Sequence, residues 1–238
     1  MSGQETIMPA AMVLEMEWID KIQVHQPAWI FLSLFLLLGV FAWIRAYYGN
    51  ILVQTLQASA NFQVASRIFM DNSLLQKQLD NLLDGFYILS TGFMIYLVEN
   101  RFGLYPYSIG GLPLYLFNLA VLSGILLARI ILLNFAGFLF NRTRLFREYL
   151  YNTFIFNKLL GVSLLPMLLF TTFTTGVIRE VCIWLTISVT VTVIGMRLTR
   201  GIIFSLRKGV SLFYMFLYLC ALEIVPLTLL YKWLRGIL

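Results

Sequence analysis

The sequence predicts an all-α fold: a polytopic bundle of about six transmembrane helices, with an amphipathic interfacial helix between the first and second spans. Three observations lead there. Of 238 residues, 60% are hydrophobic and only 12% are charged, whereas soluble domains carry about 45–50% apolar and about 25% charged residues. The mean hydropathy is +0.85. Apolar runs of membrane-spanning length succeed one another over 27–230, with no polar block long enough for a separate domain. The chain therefore divides only into an N-terminal amphipathic segment, 1–26, and a transmembrane domain, 27–238, which contains a cytoplasmic interfacial stretch at 50–81.

The N-terminal segment places Glu5, Glu15, Glu17 and Asp20 against a single Lys21. That is the reverse of the basic leader of a cleavable signal peptide, so the first span is expected to be retained. Within it, 12–24 reads as an amphipathic candidate. The first span, 27–44, opens Pro-Ala-Trp, joining a favourable first-turn proline to an interfacial aromatic.

In the stretch that follows, Ile51, Thr55, Ala58, Phe62, Ala65 and Phe69 recur at three-to-four spacing, while Gln54, Gln57, Gln63 and Asp71 fall elsewhere. This is the pattern of a helix lying on the membrane surface. Ser73-Leu-Leu-Gln76 matches a capping box, which predicts a turn near Asn72 and a new helix leading into the second span. That span, 82–98, is about 25 Å long at 1.5 Å per residue, short for a hydrocarbon core of about 30 Å.

The third span, 113–140, carries Ala120, Gly124 and Ala128 as a small-residue row, expected to face protein. The fourth, 149–173, contains Pro166. The fifth, 177–196, alternates Thr186, Ser188, Thr190 and Thr192 as a strand would. A lone strand in lipid leaves its backbone groups unpaired, so helix is expected, with Ser188 and Thr192 on one face allowing close contact. The sixth, 210–231, has Glu223 as its one charged side chain before Lys232, with Pro226 three residues on.

Loop charge orients the bundle. Arg45, Arg67, Lys77, Arg142, Arg144, Arg147, Arg197, Arg200, Arg207 and Lys208 fall on one side; Lys21, Arg101, Arg179, Lys232 and Arg235 fall on the other. The richer side is expected to be cytoplasmic and both termini periplasmic. The net charge of +6 is thus topogenic, and no nucleic-acid partner is expected.

Charges inside spans need partners or a task. Lys158 is expected roughly 14 to 16 Å from the cytoplasmic face, and Glu223 at roughly 20 Å. A Lys158–Glu223 pair between parallel helices is therefore the first expectation, satisfying a cost of ~3 kcal/mol or more per unpaired charge. Pro226 frees the carbonyl of Leu222, and Pro166 that of Val162. Two interrupted helices with opposite charges are similar to transporter sites, although a structural ion pair accounts for them as well. Arg129 is expected to snorkel toward the headgroups, with Asp84 at similar depth and able to pair with it. The intramembrane polar site thus comprises Lys158, Glu223, Asn157, Pro226, Arg129 and Asp84.

Other chemistry is excluded by what is missing. His25 is the only histidine, so no bis-histidine haem, multi-histidine metal site or Ser-His-Asp triad can be assembled within one chain. No glycine-rich nucleotide loop occurs, and Gly110-Gly111-Leu112-Pro113 reads as a turn entering a helix. Cys182 and Cys220 fall within spans as small hydrophobes. No cofactor, metal or catalytic residue is expected.

Phe156-Asn157-Lys158-Leu159-Leu160-Gly161 with Leu164-Leu165-Pro166, Tyr218-Leu219-Cys220-Ala221-Leu222-Glu223-Ile224-Val225-Pro226-Leu227, and Arg45 with Tyr47-Tyr48 resemble the bacterial domain-of-unknown-function family numbered 4271. The resemblance implies a polytopic inner-membrane protein of Gram-negative bacteria, with no assigned activity. The leading functional expectation is a non-enzymatic subunit or scaffold of a membrane assembly. Its partners would be the lipid bilayer and other membrane proteins or a second copy. The alternative is a small proton- or ion-coupled transporter using the Glu/Lys site. A third reading uses Arg142, Arg144 and Arg147 as a lipid-headgroup patch.

Overall fold

Without water to satisfy backbone groups, an apolar chain in lipid closes its hydrogen bonds within each segment, and helix is the result. The computed structural model describes residues 27–60, 74–103, 110–139, 141 and 143–207. They form α1 Ala28–Ala60, α2 Leu74–Phe102, α3 Leu112–Leu139, α4 Thr143–Phe173 and α5 Gly176–Arg207. No strand occurs among the described residues, and the Ser/Thr alternation of the fifth span lies in the helix α5. All five helices are long and apolar enough to cross a membrane. The expected sixth span, 210–231, lies outside the described residues, as does the segment 1–26.

At 28 to 33 residues each, the helices run about 42–50 Å, well beyond a ~30 Å core, so they must tilt or project. The extra length comes from segments expected to be loops. α4 starts six residues before the expected boundary, and α5 carries on to Arg207. α1 likewise continues past its expected end, but a break at Tyr48 (φ −123°, ψ 18°) sets off its last turns. Beyond the break Leu52, Thr55, Ala58 and Ser59 are buried while Gln54 and Gln57 are exposed, the amphipathic split expected of the interfacial helix. Its expected continuation through Phe62 and Phe69 lies outside the described residues.

α2 and α4 form the centre of the bundle. About half of each spanning window is buried, 56% and 50%, against 17–22% for α1, α3 and α5, which leave wide apolar faces for lipid. Glycines bring the central helices together. A Cβ on Gly161 of α4 would lie 2.9 Å from Tyr87 Cα of α2, so the two backbones touch there. Gly92 makes room on α2 for Leu119 of α3. α1 lies antiparallel to α2 along its length, with Trp29 on Tyr96, Phe41 on Phe86, and the Tyr48 hydroxyl donating to Gln78 Oε1.

Two small-residue rows lie on outward faces of the single chain. Ala120, Gly124 and Ala128 are exposed, because Leu114, Tyr115, Asn118, Leu126, Arg129 and Leu133 turn the opposite side of α3 inward. Ser188 and Thr192 share a face, but it is also the outward one; Thr186 and Val193 are buried, and Thr190 reaches Met94 of α2. Both helices turn polar side chains inward, Asn118 and Arg129 on α3 and Thr186 on α5, and leave large apolar side chains such as Leu127, Ile131, Trp184 and Val191 facing outward, as lipid requires.

Candidate intramembrane charge site

Gln76, Asp80 and Asp84 recur every four residues on α2 and so line one face of it. Lys158 stands at the midpoint of α4, 2% exposed, and its Nζ donates to Asp80 Oδ1 at 2.5 Å. The carboxylate side of the pair is 18% exposed, so the aspartate faces the more open end. Gln76 Nε2 reaches both Thr55 Oγ1 of α1 and Asp80 Oδ1, each at 3.3 Å. The Tyr151 ring, two turns before Lys158, lies 5.6 Å from the ammonium and offers its negative face. The result is a polar ladder from the end of α1 to the centre of the bundle.

The parallel course of α2 and α4 sets the register. The helices cross where Gly161 meets Tyr87, and three residues earlier on each lie Lys158 and Asp84. Lys158 is therefore level with Asp84 and leans back one turn, about 6 Å, to reach Asp80. Asp84 Oδ1 is buried and has no hydrogen-bond partner among the described residues. The charges acting on it are those of Lys158 and Asp80. The expected Asp84–Arg129 pair is not formed. Arg129 does not snorkel either; it is 6% exposed, on the inward face of α3.

A second polar group gathers between α4 and α5. Arg197 Nη1 donates to Asn157 Oδ1 at 3.2 Å, and Asn157 is 2% exposed. Arg200 Nη1 donates to the carbonyls of Ala58, at 2.8 Å, and of Ser59, while its guanidinium lies 5.4 Å from the Phe156 ring. The cation ties α5 to the backbone of the last described turn of α1. Beside it, Tyr149, Asn152, Thr153, Phe156, Arg197, Arg200 and Gly201 line a pocket with room for about one water molecule. Arg200→Met keeps an apolar stem and loses the donor. It is expected to lower stability by about 1–3 kcal/mol, read as a reduced melting temperature in detergent.

Of the expected site residues, Lys158, Asn157, Asp84 and Arg129 all turn inward within the bundle. Glu223 and Pro226 lie outside the described residues. Pro166 does not interrupt α4, which is helical throughout; the interrupted helix is α1, at Tyr48. Asp80 is the residue that inspection of spans missed, because it falls in the stretch assigned to the membrane surface. The four-residue repeat Gln76, Asp80, Asp84, alongside the buried apolar Leu79, Leu83 and Phe86, is the signal that could have found it. Arg197 and Arg200 were likewise counted as loop charges.

A family model described as Domain of unknown function (DUF4271) matches residues 30–234. The chain belongs to this family. The DUF4271 region takes in all five described helices and hence Asp80, Asp84, Lys158, Arg197 and Arg200. No curated protein and no solved structure matches the chain.

Proposed function

We propose that this DUF4271 protein is a multi-pass protein of the bacterial inner membrane, with periplasmic termini, that serves as a non-enzymatic subunit or scaffold of a membrane assembly. The observation that carries the reading is the outward row Ala120, Gly124 and Ala128, set among the exposed Leu116, Leu127 and Ile131. Acyl chains gain nothing from such a row, whereas a second helix packs its backbone into it closely. Gly124→Leu fills the row without touching the bundle, since no atom lies within 4 Å of a Cβ placed there.

The test is crosslinking in native membranes from a cysteine placed at Ala120. A product containing a second polypeptide is expected, and its yield should fall several-fold when Gly124→Leu is added. Protein that runs alone in mild detergent and yields no crosslinked product rejects the reading.

A second reading, a small proton- or ion-coupled carrier, is supported by the Asp80–Lys158–Asp84 group at the centre of the bundle, since intramembrane charges mark ion and proton paths. Under it, Asp84→Asn or Glu223→Gln abolishes a pH-dependent flux in a folded protein. Unchanged flux rejects that reading.

A further inference from the structure

Among the described residues, the Asp80–Lys158–Asp84 group holds two acids and one base, and one of the acids is engaged by the base. Lys158 is bound to Asp80, and the ammonium's other close neighbour is the face of the Tyr151 ring. Asp84 Oδ1 is closed off from solvent and meets no donor among the described residues. A carboxylate in that position would leave an excess negative charge in the bundle interior, where each uncompensated charge is costly. A metal ion is a poor remedy: it needs several converging ligands, and no cluster of three such side chains occurs among the described residues. A proton is sufficient.

We propose that Asp84 is a proton-exchange site, carrying one proton while Lys158 rests on Asp80 and yielding it when the ammonium crosses to Asp84. The balance is simple. In the loaded state the group contains an ammonium, one carboxylate and one carboxylic acid, with no net charge. When Lys158 Nζ moves the single turn to Asp84, the O–H bond at Asp84 breaks. The proton passes to the Asp80 carboxylate that the ammonium has just left. No charge is created, so the exchange can occur inside the bundle.

The exchange leaves the proton on Asp80, the more exposed acid of the group, beside Gln76, with the total charge unchanged. Among the described residues, the charged and titratable groups around Asp84 are Asp80 and Tyr87 on α2 and Lys158 and Tyr151 on α4. Arg129 of α3 and Arg197 of α5 bear on neighbouring Tyr87. The inference holds for a carrier and equally for a subunit of a proton-linked assembly.

Infrared spectroscopy of the full chain in lipid bilayers tests it, through the carbonyl stretch of protonated carboxyl groups and its downshift in D2O. The wild-type minus Asp84→Asn difference spectrum at neutral pH should contain one such component. Asp84→Glu should displace the component without removing it, which keeps the test valid if the asparagine variant folds poorly. Asp80→Asn should also remove it, because the ammonium then turns to Asp84, the other acid of the group, and holds it ionised. A purely structural ion pair gives neither change. The absence of a component in the first difference spectrum overturns the proposal, and its survival in Asp80→Asn overturns the exchange between the two acids.

Discussion

Lys158→Met is expected to lower the stability of the bundle by about 3–5 kcal/mol, the largest effect of any single change at the site. The methionine fills nearly the same volume, so the loss is electrostatic. It leaves the Asp80 carboxylate, 18% exposed, without the ammonium that sits 2.5 Å away, and breaking a buried pair from one side costs far more than removing both members. The double variant Lys158→Met with Asp80→Asn should therefore recover most of the loss. Reversible unfolding in detergent, arranged as a double-mutant cycle, measures both. A single-variant cost below about 1 kcal/mol would mean that the pair is solvated in the membrane-inserted protein.

Gly161→Leu is expected to cost about 3 kcal/mol, at the upper end of overpacking effects. The reason is which atoms stand in the way. A Cβ at this position would lie 2.9 Å from Tyr87 Cα, 3.2 Å from Tyr87 Cβ and 3.3 Å from Ser90 Oγ. A backbone atom cannot rotate aside, so α2 and α4 must separate. The separation also lengthens the reach from Lys158 to Asp80, which couples the packing defect to the charged site. Gly161→Leu should thus show a non-additive, smaller cost when combined with the neutralised pair. Strict additivity in the cycle would show that crossing and charge site are independent.

Much of the fold was legible in one dimension. The helices had to be helices, because an apolar chain in lipid can satisfy its backbone only within a segment or in a closed barrel. The position of the third span and the amphipathic split beyond the first span followed from local chemistry. So did the placing of Lys158 near mid-helix, since 1.5 Å per residue is a fixed rule.

Partnership was not legible. Which carboxylate meets Lys158 depends on which helices lie side by side and at what offset. The offset is set by the contact of Gly161 with Tyr87, two residues with no mark in sequence of belonging together. The rotation of α3 was hidden for a related reason: a small-residue row promises contact to any helix that arrives, but here the larger side chains Tyr115, Leu126 and Leu133 took the inward face.

Sequence alone determined the class of the protein, its helical character, the spans within the described residues and the presence of costly charges inside them, because composition and rise per residue act locally. Among the described residues, tertiary structure decided that Lys158 meets Asp80, that Asp84 Oδ1 is buried without a donor, and that Arg200 binds the Ala58 and Ser59 carbonyls of α1. Those facts arise from the packing of helices far apart in the chain, where a shift of one turn exchanges one partner for another.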